Sequence, residues 1–296
     1  MKKLENCLIL LFLFLFFSQS QQISQTSAIM LDFWFEQLVP SLFLCIFILQ
    51  LLSSTSFFSE ISKPFRFLCP LLNISTEALG LVFSCLLMGA PSSTLLINQA
   101  YKQKQITEKM AHRLLCSISV STISFLIMTI GALMLKDIHL GIYLWIIQIL
   151  CAFVCLGCTR SVAVIMSTPL TNTKKHSIRS ALFQTGSILF MIGGYLLIFQ
   201  NLAHFILSFI PDSFHQFVFI ISEFSYGCKL ISESFDTSKA FVLISALCGF
   251  NGLCVQFQSL SMSELHISIG KYFCFRCFQS LMSLLMASAV ILLLHG

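Results

Sequence analysis

The chain has 296 residues, of which 57% are hydrophobic and only 10% charged, against about 25% charged in soluble domains, and its mean hydropathy is +0.91. Water cannot solvate such a surface, so a soluble enzyme and a nucleic-acid-binding module are both excluded, and an all-α, polytopic integral membrane protein is expected. The net charge of +5 does not point to an acidic partner, because the Lys and Arg residues concentrate in short loops between apolar runs.

Met1–Gln22 opens with Lys2 and Lys3, followed by an apolar run from Cys7 to Phe17 and then Ser18-Gln19-Ser20. It reads as a retained first helix, with a cleavable signal peptide as the alternative. Either way Gln21–Gln37 is expected as a linker on the external side of the membrane. Candidate spans follow at Leu38–Ser56, Leu114–Leu135, Leu140–Cys158, Ala181–Asn201, Phe217–Ser232, Phe241–Gln258 and Cys277–Leu294. Each approaches the ~20 residues that cross about 30 Å of hydrocarbon. Together with Glu77–Ala100 and the first run, this predicts about seven to nine hydrophobic segments.

Glu77–Ala100 is interrupted by Gly89-Ala90-Pro91, followed by Ser92, Ser93 and Thr94. Proline removes a backbone donor and glycine loosens a helix, so a break at membrane depth is expected. Charge adds a parity argument. Eight of the seventeen Lys and Arg fall in two loops, Lys102, Lys104, Lys109 and Arg113, then Arg160, Lys174, Lys175 and Arg179. Both loops are expected on the cytoplasmic side. A full span at Glu77–Ala100 would put Lys102 on the wrong side, so this piece is read as a re-entrant hairpin turning at Gly89-Ala90-Pro91.

Leu87–Ser92 can be laid over Leu247–Gly252 with an offset of 160. Polar residues follow each break, Asn98 in the first and Gln256 and Gln258 in the second. Ser259–Gly270 holds Glu264 and His266 but no Lys or Arg, so it is expected on the side opposite Lys102–Arg113. Two related halves, 38–180 and 181–296 after an N-terminal segment 1–37, each with a broken helix, are the layout of many secondary transporters.

Within Phe217–Ser232, Glu223 has no local partner, and a charge at the bilayer centre costs about 2.5–3.5 kcal/mol, so it is expected to line a cavity with Ser225 and Gly227 nearby. Lys229 and Glu233 are spaced for an i,i+4 pair. Arg276 is read as snorkelling to the surface, with a hold on an anionic group as the sharper alternative. The candidate cavity set is therefore Gly89, Pro91, Ser92, Ser93, Asn98, Glu223, Ser225, Gly227, Asn251, Gly252, Gln256, Gln258 and Arg276. The CxxC pairs, Cys155 with Cys158 and Cys274 with Cys277, lie in or beside apolar runs without a histidine cluster, which favours helix packing over a metal or redox site. No GxSxG, P-loop or GxGxxG is present, so no enzyme activity, metal or cofactor is expected.

Val39-Pro40-Ser41-Leu42-Phe43, Gly89-x-Pro91, Ile106-Thr107 leading to Ala111-x-Arg113-Leu114-Leu115, Glu223-x-Ser225-x-Gly227 and Gly249-Phe250-Asn251-Gly252-Leu253-Cys254-Val255-x-x-Gln258 resemble motifs of the sporulation integral membrane protein YlbJ family, which carries the nucleoside-recognition or Gate domain. Ser93, Thr94, Thr122 and Ile123 depart from that pattern, which marks a divergent member. The resemblance implies a bacterial cytoplasmic membrane protein acting in spore development. It also implies a core similar to concentrative nucleoside transporters, and so passage of a small polar solute that it does not specify. A non-transporting scaffold of a spore-envelope or division assembly is the rival reading.

Overall fold

The computed structural model describes residues 10, 13–14, 17–53, 55–166 and 177–295; most of the first apolar run, together with Lys174 and Lys175, lies outside them. Every extended element among the described residues is helical, apart from one bridge between Ile74 and Val164. Among the described residues, five helices are long and apolar enough to cross a membrane: α1 (Ser20–Ser53, with a π-helical turn at Trp34–Leu38), α8 (Ile138–Cys158), α9 (Ile178–Leu207), the pair α12 (Thr237–Phe250) and α13 (Gly252–Met262), and α14 (Ile269–His295). That is five rather than seven to nine. Phe183 and Phe190 on α9 are 80% and 77% exposed, which water penalises and lipid does not. The chain is a helical, multi-pass membrane protein.

The expected external linker Gln21–Gln37 is instead helix. Thr26, Met30 and Phe33 fall at i, i+4 and i+7 and are buried, while Asp32 and Glu36 point to the exposed face. The first half of α1 therefore has a stripe to bury, and it runs antiparallel to α9. Asn201 Nδ2 donates to Ser27 Oγ at 3.1 Å, and Trp34 Nε1 to Leu189 O at 3.1 Å.

The remaining helices are half-length. Short helices α2 (Phe57–Ser62) and α3 (Leu68–Leu72) lead into α4 (Thr76–Met88) and α5 (Ser92–Lys102). Ser75, which caps α4, donates its N–H to Val164 O at 2.8 Å, while the neighbouring Ile165 shares a surface cavity with Tyr101, Lys102 and Gln105 at the end of α5. The pair starts and finishes at one end of the molecule, so the chain reverses at Gly89-Ala90-Pro91. At 1.5 Å per residue α4 reaches about 20 Å, too short to cross.

A second pair, α10 (His215–Ser222) and α11 (Phe224–Ser234), also doubles back, with Gln216 Nε2 donating to Ser234 Oγ at 2.7 Å. Phe217–Ser232 is thus no span. Glu223 ends one helix in extended geometry, and its carboxylate caps the next by accepting from Tyr226 N at 2.6 Å. Leu114–Leu135 is not continuous either: α6 (Glu108–Ser117) and α7 (Phe125–Met134, π-wound) are separated by non-helical residues 118–122. Between α12 and α13, Asn251 adopts the left-handed conformation (φ 68°) and bends the path without reversing it.

Lys102, Lys104, Lys109 and Arg160 mark a basic end, and Ser259–Gly270 belongs to it as well. Asn98 Nδ2 donates to Met262 O at 2.6 Å, and Lys102 Nζ pairs with Glu264 Oε1 at 2.5 Å. The expectation of opposite sides is overturned. It rested on the lack of Lys and Arg in Ser259–Gly270, a segment that instead carries the Glu264 partner of Lys102; the match of Gly89 with Gly249 fails as well, since Gly249 lies inside α12, pressed against Gln279 and Ser280 of α14. Since α13 finishes at the basic end, α12 begins at the other end, just after α11, and α10–α11 enters from there. The order of reversing pair, broken crossing helix and full crossing helix occurs twice with opposite orientation, α4 to α8 and α10 to α14, and residues about 132 apart correspond (Ser92 with Phe224, each starting the second helix of its pair). Cysteines placed at Lys104 and Ser263 are expected to react with an impermeant maleimide from one side of the membrane; reaction from opposite sides would refute this arrangement.

Candidate functional site

All four interruptions of the backbone meet near the middle of the molecule. Gly89 takes φ 66°, ψ 173°, and Ala90 N donates to Val120 O at 2.6 Å, which fastens the tip of α4–α5 to the unwound segment between α6 and α7. That segment lies in the run Ser117-Ile-Ser-Val-Ser-Thr-Ile-Ser124. Its hydroxyls compete for backbone partners, and its β-branched residues are stiff in helices. Asn251 bridges to it from the other half, with Nδ2 donating to Ser119 O and Ser119 Oγ, both at 2.9 Å. Gly252 is packed against the Phe224 backbone, so the second tip touches the second bend, and the Phe224 ring meets Phe125 with centroids 4.9 Å apart.

Between these pieces lies a cavity of about 40 Å³ whose polar lining comes from Ser121, Thr122, Glu223, Ser225 and Gln258; Leu42, Pro91, Phe125, Ile192 and Val255 close it with apolar surface. Glu223 is 2% exposed, as is Gln258. The Gln258 amide nitrogen reaches Cys254 Sγ at 3.5 Å, while its Oε1 is buried without a hydrogen-bond partner, as is Ser92 Oγ beside the first tip. An orphaned acceptor in a membrane interior is costly. Here Gln258 lines the same space as the Glu223 carboxylate and the hydroxyls of Ser121, Thr122 and Ser225.

Of the predicted set, Pro91, Glu223, Ser225 and Gln258 line the cavity. Gly89, Asn251 and Gly252 shape its walls, and Ser92 and Ser93 form the buried first turn of α5. The others serve elsewhere. Asn98 ties α5 to the end of α13, Gly227 lies against Ile220 O where α10 and α11 cross, and Gln256 donates to Phe250 O at 2.9 Å, capping a carbonyl freed by the bend. Lys229 does not pair with Glu233; its ammonium lies 5.6 Å from the Phe33 ring centroid and 6.0 Å from that of Tyr226.

Arg276 does not snorkel. It is two turns inside α14, fully buried, and donates to Ser119 O at 2.7 Å and to Cys116 O, holding the C-terminal end of α6 from behind the cavity. Cations suit carbonyls at a helix end. Tyr272 completes the clamp, with its ring 5.4 Å from the guanidinium and its hydroxyl 3.0 Å from Ser119 Oγ. Arg113, counted above as a loop charge, is likewise buried; it bonds to carbonyls of Leu72, Asn73, Leu156 and Val162 and to Thr159 Oγ1. Ser119, Ser121, Thr122 and Arg113 were missed as candidates. The alternating Ser and Thr of 117–124 was the available signal. The paired CxxC thiols are free, Cys155 buried and Cys158, Cys274 and Cys277 exposed. Comparison with protein-family models, with curated proteins and with solved structures finds no match to this chain.

Proposed function

We propose that the protein is a transporter-like membrane protein whose solute site is the cavity between the two reversing tips and the two unwound crossing helices. The observation that supports this reading is the convergence of all four backbone interruptions on one buried polar space. Irregular backbone at membrane depth is tolerated only where protein or a wet cavity surrounds it, and transporters place their sites at such breaks between oppositely oriented repeats. A volume of about 40 Å³ holds roughly three waters at ~10–15 Å³ each. This conformation is therefore closed around its site, and a nucleoside-sized solute requires the tips to part.

The basic end is cytoplasmic on this reading, in a bacterial cytoplasmic membrane. The family resemblance adds a role in spore development. The scaffold reading treats the same breaks as packing only, and the two diverge experimentally. In a thermal-shift screen of small polar solutes in detergent, a ligand at 100 times its Kd stabilises by about 2.7 kcal/mol. Gln258→Leu and Glu223→Gln should abolish that shift while leaving the unliganded protein folded, since glutamine retains an acceptor for the Tyr226 N–H. Wild-type shifts in both variants would defeat the solute site and favour the scaffold.

A further inference from the structure

A groove on the outer surface of the molecule, away from the central cavity, is formed by α3 and α8 with Met286 of α14. Leu150, Phe153, Val154 and Gly157 follow i, i+3, i+4, i+7 spacing and make one face of α8; Leu68, Leu71 and Leu72 of α3 form the facing wall. The groove holds about 500 Å³. Leu71 is 59% exposed and Leu150 48%, so it opens to the surroundings of the bundle. The stripe continues by one more turn to Arg160 at the basic end, where the apolar surface stops. Among the described residues no carboxylate lies within 4 Å of Arg160, nor of Arg66, which precedes α3 on the other wall. The arginines that the fold uses structurally, Arg113 and Arg276, are buried against carbonyls. Arg160 instead is exposed and, among the described residues, has no ion-pair partner at the mouth of an apolar channel.

We propose that this groove is a binding site for one anionic phospholipid, with an acyl chain laid along Leu150, Phe153 and Gly157 and the phosphate held by the Arg160 guanidinium. The charge order fits a lipid of the basic-end leaflet. The apolar floor runs toward the middle of the membrane and the cation lies at the interface, matching the chain and headgroup of a lipid standing in that leaflet. Guanidinium recognises phosphate through paired, charge-assisted donors, and basic pockets between membrane helices favour anionic headgroups. Gly157 supplies the depth. A Cβ built there meets nothing within 4 Å, so the floor is open at that point, and a large side chain fills the groove without displacing the fold.

That freedom provides the test. The protein purified in maltoside micelles is titrated with phosphatidylglycerol or phosphatidylcholine, and bound lipid is counted by native mass spectrometry. The wild type is expected to retain one phosphatidylglycerol in preference to phosphatidylcholine. Gly157→Phe should lose that adduct while keeping its unfolding temperature. Arg160→Gln, an exposed change that leaves the groove intact, should weaken phosphatidylglycerol binding about fivefold and erase the preference between headgroups. Equal retention of the two lipids by the wild type, or undiminished phosphatidylglycerol in Gly157→Phe, would overturn the proposal. So would a lipid-free dimer that Gly157→Phe converts to monomer, because the occupant would then be a second copy of the chain.

Discussion

Arg113→Leu is expected to destabilise the protein by about 2–6 kcal/mol, from two buried carbonyls that lose their donor at about 1–3 kcal/mol each. The guanidinium donates five hydrogen bonds in one place: to Val162 O at 2.7 Å, Leu156 O at 2.8 Å, Asn73 O at 3.0 Å, Thr159 Oγ1 at 3.2 Å, and Leu72 O. These acceptors end α3, end α8 and begin the segment that pairs with Ser75. Leucine fills the volume but removes all five donors; Asn73 O keeps Val164 N and Leu156 O keeps Thr159, whereas Leu72 O and Val162 O lose their partner, each unsatisfied group costing about 1–3 kcal/mol. Arg113→Lys keeps the charge with three donors from one point instead of a planar fork, so it should recover only part of the loss. Denaturation in detergent followed by circular dichroism checks the order wild type, Lys, Leu. Equal stability of Lys and wild type would show that charge alone suffices.

The second large effect is expected at Gly89. Its φ of 66° with ψ of 173° lies in a region that is essentially glycine-only, and a side chain there costs about 1–3 kcal/mol in backbone strain. The added Cβ would also stand 2.5 Å from Thr122 N and 2.7 Å from Ser121 C. Those atoms are backbone and cannot swing away. Gly89→Ala should therefore push the first tip off residues 118–122, breaking the Ala90–Val120 hydrogen bond and opening the cavity, while the outer helices remain inserted. Ser121→Cys, unreactive in the parent, should become labelled by a small maleimide in the Gly89→Ala background. Gly194→Ala is the control: nothing lies within 4 Å of its Cβ, and replacing a helical glycine by alanine stabilises by roughly 0.5–1 kcal/mol.

Hydropathy and charge parity made the membrane and the break at Gly89-Ala90-Pro91 legible, because a proline after glycine in an apolar run has few other meanings and Lys102 needed a side. Glu223 was legible as a buried acid. Its role as the turning point was not, since Phe217–Ser232 has the length and polarity of a short span and nothing local distinguishes reversal from crossing. The unwinding at 118–122 was hidden because Ile118, Val120 and Ile123 keep the average hydropathy high, while serine hydroxyls count as neutral although they reorganise the backbone. Arg113 was miscounted because a loop cation and a structural cation look alike in sequence; only the carbonyls converging from α3 and α8, about 40 residues away on either side, separate them. The internal repeat was sought through Gly89 and Gly249, whereas the true correspondence pairs Pro91 with Glu223 and Ser119 with Asn251, residues with no chemical likeness.

The bridge from Asn251 to Ser119 also has a consequence in time. The ribosome makes the unwound segment about 130 residues before it makes Asn251, and Arg276 comes later still. At 5–20 residues per second that interval is roughly ten seconds. Throughout it, the carbonyls of Cys116 and Ser119 are in or near the membrane without the groups that will satisfy them. A nascent chain halted before Asn251 is thus an insertion intermediate with an exposed polar seam, and it should be a substrate for membrane chaperones or proteases until the second half arrives to seal it.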